Sequence, residues 1–176
     1  MASFFAYLAN SSFVLIDHYG LSPRQYSVAF AANAASFIGL SQLTARWGGR
    51  FGLARMVKVA VTAYAVVMAI ALLLQLAGVQ SLAVMLGLLF VGYGALGLVV
   101  PATMVLSMDE HGPIAGTASA LGGTLHFACG ILVMGLLSPF ANGAPVPMLV
   151  GIAGSAALAC AFAWGTLRRP LTAAAA

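Results

Sequence analysis

Few side chains in this sequence could do chemistry, and their spacing restricts what that chemistry can be. Ser119 and His126 share one face of an apolar stretch. Along a helix they stand about 10 Å apart, too far for a nucleophile and its base to hydrogen-bond directly. Asp109, Glu110 and His111 adjoin one another, but no further ligand lies at useful spacing, so they read as a solvated turn. Cys129 and Cys160 sit separately in apolar runs, where sulfur acts as a small hydrophobe. No GxSxG, HExxH or phosphate-binding loop occurs. The sequence therefore predicts no enzyme, no cofactor and no metal. What remains is noncovalent recognition by polar and aromatic groups.

Those groups form stripes. Ser3, Tyr7, Asn10 and Asp17 fall within about 80° of one another at helical spacing, while Phe4, Phe5, Leu8 and Leu15 point elsewhere. A polar stripe on an apolar helix faces protein or a wet cavity rather than lipid. Tyr26, Phe30, Asn33, Phe37 and Leu40 share a side of the next segment, with Ser36 nearby. Aromatics around one amide suit lipophilic, partly polar molecules; ordinary packing, with Asn33 as an interhelical hydrogen-bonder, is the alternative. Ser119, Gly122, Gly123, His126 and Gly130 share a further face. A charge at the centre of a membrane helix costs about 2.5–3.5 kcal/mol, so His126 should be neutral. It reads first as a satisfied interhelical histidine, second as a substrate contact or proton relay. The substrate-path candidates are Tyr7, Asn10, Asn33, Ser36, Tyr93, Ser119 and His126.

The elements that must position these residues follow from composition. The chain has 176 residues, 62% hydrophobic and 6% charged, with a mean hydropathy of +1.06. A soluble domain carries about 25% charged residues, so only a bilayer accepts this one. The net charge of +4 comes from basic residues beside apolar runs and reads as a topology signal rather than a nucleic-acid footprint. Six apolar segments are drawn at about 2–16, 23–45, 56–77, 82–107, 113–138 and 147–167. Their backbone groups must pair internally, and no barrel alternation is present, so all six read as helices. The fold class is all-α and integral to the membrane, one unit over 1–170, with an Ala-rich disordered tail at 171–176.

Several details refine that outline. The first segment would extend only about 22 Å, so it reads as truncated. It lacks the basic start of a signal peptide. Ser22, Pro23 and Gln25 form a helix-start signature, and Pro145 and Pro147 mark another. Gly87, Gly92, Gly94 and Gly97 before Pro101 let the fourth segment bend. Gly151, Ser155 and Ala159 form a small-residue ladder. The third segment, with Tyr64 and Gln75, looks like scaffold or lipid-facing helix, as does the sixth. Arg46, Trp47, Gly48, Gly49, Arg50, Phe51 and Gly52 read as a glycine-punctuated basic turn. With Arg55, Lys58, Arg168 and Arg169 on one side and only Arg24 on the other, both termini are expected in the cytoplasm.

Two tracts carry a family resemblance. One comprises Phe5-Ala6-Tyr7, Phe13-Val14-Leu15, Tyr19-Gly20-Leu21-Ser22-Pro23, Phe30-Ala31-Ala32-Asn33-Ala34 and Ser41-Gln42. The other is Pro101 with Ala115-Gly116-Thr117-Ala118-Ser119-Ala120-Leu121-Gly122. Together they resemble helices seven to twelve of the bicyclomycin/chloramphenicol-resistance (Bcr/CflA) subfamily of drug:proton antiporters in the major facilitator superfamily (MFS). The resemblance implies a six-transmembrane-helix half built from two three-helix inverted repeats, with the substrate path between two halves. Segments one, two, four and five would approach that path, and three and six would be peripheral. The implied partners are a small-molecule substrate, protons, lipid, and an N-terminal six-helix half or a second copy of this chain. Arg46, Gly48 and Arg50 match part of the superfamily's basic gating loop, but Ala45 stands where an Asp is usual. Ser12 replaces a common proline, and His126 a common Gln. The implied function is proton-coupled efflux of small amphipathic drugs, and the implied location a bacterial inner membrane. An inactive fragment or a homodimerising half-transporter is the alternative, and a membrane enzyme a distant third.

Overall fold

A computed structural model describes residues 1–108, 115–140 and 144–167. The Asp109-Glu110-His111 turn, Pro113, Arg168, Arg169 and the 171–176 tail lie outside the described residues. Among the described residues every regular element is helical. They are α1 (Ala2–Ser12), a π-helical turn (Phe13–His18), α2 (Pro23–Ser41), α3 (Thr44–Phe51), α4 (Leu53–Leu76), α5 (Leu82–Met108), α6 (Ala115–Leu137) with a 3-10 turn after it (Ser138–Phe140), and α7 (Pro145–Thr166).

α4, α5, α6 and α7 are long and apolar enough to cross a membrane; α2 and α3 make a fifth such span if the 41° bend between them is counted within one crossing. α1 and its π turn together extend at most about 25 Å, short of a hydrocarbon core of about 30 Å.

Two sequence expectations need correction. The first helix does not stay α to residue 16. From Phe13 it widens into π turns, with the Tyr19 amide donating to the Val14 carbonyl at 3.2 Å. Gly20, at φ +69°, then turns the chain towards α2. The second helix does not run on to Ala45. It ends at Ser41, and the stretch read as a basic turn is the helix α3. α3 is amphipathic: Trp47 and Phe51 lie one turn apart on one face, and Arg46 and Arg50 on another. Gly48 is buried, and a Cβ there would meet the Leu53 side chain. Gly52, at φ +81°, then breaks the helix before α4, a conformation that favours glycine.

The expected start of α2 is present. Ser22 Oγ accepts from the Gln25 amide at 3.3 Å, and Gln25 Oε1 accepts from the Ser22 amide at 2.9 Å. Such a cap contributes about 1 kcal/mol. α7 starts at Pro145, its ring replacing an N–H that would have no helical partner. α5 stays one helix through Pro101, although the proline leaves the Gly97 carbonyl without its usual amide donor. At the far end of α4, Tyr19 Oη donates to Gln75 Oε1 at 3.3 Å. Burial raises the Tyr19 phenol above its usual pKa, with the Gln75 bond acting the other way.

The core lies where α1, α4, α5 and α7 meet. Tyr7, Tyr64, Met68, Leu89, Tyr93, Met148, Leu149 and Ile152 are all buried there. A second cluster, including Val57, Val61, Leu98 and Ala102, joins α4 to α5 nearer the arginines. α4 is thus half scaffold: Tyr64 and Met68 face the core, while Val59, Val66 and Leu73 are exposed. In lipid such cores are held by packing rather than by exclusion of water. α6 is the outlying helix. It rests on α1, with Gly130 against the Phe5 ring, and its Leu121, Leu125, Ile131 and Leu136 are exposed.

Candidate functional site

Helical spacing builds one wall of the site. Phe30, Asn33 and Phe37 recur at i, i+3 and i+7 along α2, within about 60° of one face; Tyr26 shares that face but lies outside the lining. α1 supplies Met1, Phe4 and Tyr7, and α5 supplies Tyr93. Between them lies a cavity of about 270 Å³, lined also by Ala34 and Ile38. Its surfaces are aromatic. The Tyr7 ring stacks on Phe30 with centroids 5.9 Å apart and the planes 12° from parallel. Tyr93 lies 5.0 Å from Tyr7, and Phe4 meets Tyr93 edge-on at 6.2 Å.

One amide supplies most of the polarity. Asn33 Nδ2 donates to Tyr7 Oη at 3.0 Å. That bond uses one of the amide's two donors and leaves its carbonyl oxygen for another partner. Tyr93 Oη donates to the Ser3 carbonyl at 3.3 Å, so its hydroxyl is anchored to α1 while its ring faces the cavity. The surface open to a ligand is apolar, so the arrangement can hold an apolar or flat body, with the buried Asn33 amide behind it. Among the described residues that line the cavity there is no carboxylate or imidazole side chain.

Of the substrate-path candidates, Tyr7, Asn33 and Tyr93 come together here. Asn10 is buried, but its Nδ2 donates to the Ala6 carbonyl of its own helix at 3.0 Å. Ser36 Oγ donates across to the Phe90 carbonyl at 2.7 Å and ties α2 to α5. Ser119 and His126 lie half-buried on α6, outside the cavity lining. Asp17, placed on the polar stripe by spacing, is exposed beyond it. Phe4 is the clearest omission. Spacing set it apart from the stripe, yet it lies only about 60° from Tyr7 around the helix, close enough for its ring to reach the cavity. Ser11 was also missed; its Oγ meets Tyr26 Oη at 3.1 Å. Arg46 and Arg50 are exposed on α3, the Arg50 guanidinium 5.5 Å above the Phe51 ring. Among the described residues no three metal-ligating side chains gather.

No protein-family model matches the chain, and no solved structure matches it. Over 134 residues it is 33% identical to YdgK of Bacillus subtilis (strain 168), described as an uncharacterized MFS-type transporter. The similarity supports membership of the major facilitator superfamily. The match takes in 76% of this chain, which spans only about a third, 33%, of the relative's length. Apolar spans and an MFS-type relative together make this an all-helical, multi-pass membrane protein, consistent with half of a transporter. The cavity is lined by α1, α2 and α5, three of the four elements the superfamily resemblance sends to the substrate path; the fourth, α6, is not among them.

Proposed function

We propose that this chain is the C-terminal half of a Bcr/CflA-type efflux transporter that exports small amphipathic compounds across a bacterial inner membrane. The observation that carries the reading is the aromatic cavity with one amide, formed jointly by α1, α2 and α5. Such a surface selects for a lipophilic body bearing one hydrogen-bonding group and tolerates much variation in the rest. In this reading Phe4, Phe30 and Phe37 meet the substrate's apolar body, Tyr7 and Tyr93 back them, and Asn33 orients the substrate once its amide turns towards the cavity. Protons drive export. Among the described residues no acidic side chain lines the cavity, so in this reading the groups that exchange protons for substrate lie outside it.

Export then requires both halves. Accumulation of an amphipathic aromatic dye is measured in efflux-deficient cells carrying this chain alone, or together with a matching N-terminal six-helix half. Accumulation is expected to fall only when both are present, and to recover when the proton gradient is collapsed. Equal accumulation in the two strains overturns the reading.

A further inference from the structure

A second, larger concavity lies on the opposite side of α5 from the aromatic cavity. Val91, Ala95 and Leu98 line it, and they sit about 140–200° around the helix from Tyr93. The groove has a volume of about 610 Å³, within the usual range for a small-molecule site of about 300–1,000 Å³. Its floor is cut by small residues, Ala60 and Ala63 of α4 and Ala95 of α5. One end is closed by Trp47 and Phe51 of α3, with Arg55 beside them.

Three features point to one kind of occupant. First, the groove runs about 12 Å along α4 from Arg55 to Ala63, with apolar walls beyond the arginine. That is the shape of an acyl chain hanging from a headgroup. Second, α3 places Trp47 and Phe51 on one face and Arg46 and Arg50 on another. This is the pattern of a helix lying in the membrane interface, and tryptophan itself favours that level. The arginine end of the groove is therefore at headgroup depth. Third, basic side chains gather there. Arg46, Arg50, Arg55 and Lys58 lie within one short stretch, while the sole carboxylate among the described residues is on Asp17. Lys58 and Arg50 rest over aromatic rings, 5.5 Å from Trp164 and Phe51 respectively. Arg55, exposed at the groove's edge, makes no ion pair among the described residues.

We infer that this groove binds an anionic phospholipid, its phosphate on Arg55 and one acyl chain between α4 and α5. The site is separate from the aromatic cavity and stands whether or not the transport reading does. Bound there, the lipid braces α3 against α4 and α5. Basic pockets between membrane helices hold anionic headgroups by the same combination of charge and apolar depth.

The test uses Trp47 as the reporter. The chain has two tryptophans, so Trp164→Phe leaves Trp47 alone. The protein is reconstituted with increasing fractions of brominated phosphatidylglycerol or brominated phosphatidylcholine, and quenching is followed. Half-maximal quenching is expected at about a fivefold lower fraction of the anionic lipid, the factor for one headgroup–arginine contact. Arg55→Gln should abolish that preference, Arg55→Lys should keep most of it, and Arg46→Gln, the same charge change on α3, should keep it too. Inorganic phosphate should not relieve the quenching. Three results would overturn the proposal: no headgroup preference in the parent protein, equal loss in Arg46→Gln and Arg55→Gln (a diffuse surface field), or relief by inorganic phosphate (a free-anion site). The parent comparison needs no arginine variant, so a failure of Arg55→Gln to fold leaves the test decisive.

Discussion

Replacing Gly97 by alanine is expected to destabilise the bundle by about 1–3 kcal/mol, the usual cost of overpacking. A Cβ at position 97 runs into the carbonyl oxygen of Phe37. That obstacle is backbone, so no rotamer change relieves it; α2 and α5 must separate. Gly94 lies one turn earlier, and a Cβ there would come 2.7 Å from Ser36 Oγ. Separation would therefore also stretch the Ser36–Phe90 hydrogen bond and pull Phe37 away from Tyr93 across the cavity. Gly87 is the control on the same helix. It is exposed, with nothing within 4 Å of its added Cβ. There alanine should be neutral or stabilise slightly, because it removes glycine's entropy cost of about 0.5–1 kcal/mol. Thermal unfolding in mild detergent compares the two. Opposite signs are expected; equal melting temperatures would mean α2 and α5 do not pack this closely.

The other large effect is functional. Asn33→Leu conserves volume but removes the one amide in the cavity and the donor to Tyr7 Oη. Interhelical hydrogen bonds in membranes average about 0.6 kcal/mol, so insertion and folding should be little changed. Recognition should suffer more. A ligand that loses its hydrogen bond loses about 0.5–1.5 kcal/mol, and 1.4 kcal/mol is about tenfold in affinity. With both halves present, export of compounds bearing an amide or hydroxyl should fall about two- to tenfold, while export of purely apolar ones should hardly change. Equal loss for both classes would place Asn33 in the packing of the bundle rather than in the site.

The long helices were legible in the sequence because lipid allows an apolar run few alternatives. α4, α5 and α7 begin and end within three residues of where composition put them, and the Ser22 cap and Pro145 fixed two starts. What failed was local. Nothing in Phe13-Val14-Leu15-Ile16 separates an α turn from a π turn. In α3 the Gly48-Gly49 pair argued for a loop, but the Gly48–Leu53 approach and the Trp47/Phe51 face made it a helix. The cavity was legible in part. Helical spacing gave the α2 wall and singled out Tyr7. It could not tell that Asn10 and Ser36 would spend their side chains on backbone carbonyls, because a carbonyl one turn back or on a neighbouring helix leaves no mark on sequence. Nor could it place α6, and with it Ser119 and His126, at the edge of the bundle, since a small, weakly polar face suits close packing and a cavity wall alike.

The central claim is that the aromatic cavity receives the substrate, and occupancy can be read from one side chain. Ala34 lines that cavity, while Ala32, on the other side of α2, lines a separate groove beside Arg24 and Leu82. With Cys129 and Cys160 replaced by serine, Ala34→Cys and Ala32→Cys each carry the sole thiol for labelling by a membrane-permeant maleimide. Saturating amphipathic dye should slow labelling of Ala34→Cys about tenfold or more, as expected when a bound ligand buries most of a pocket, and leave Ala32→Cys unchanged. Unaltered labelling at position 34 in the presence of a compound that the complete transporter exports would contradict the claim.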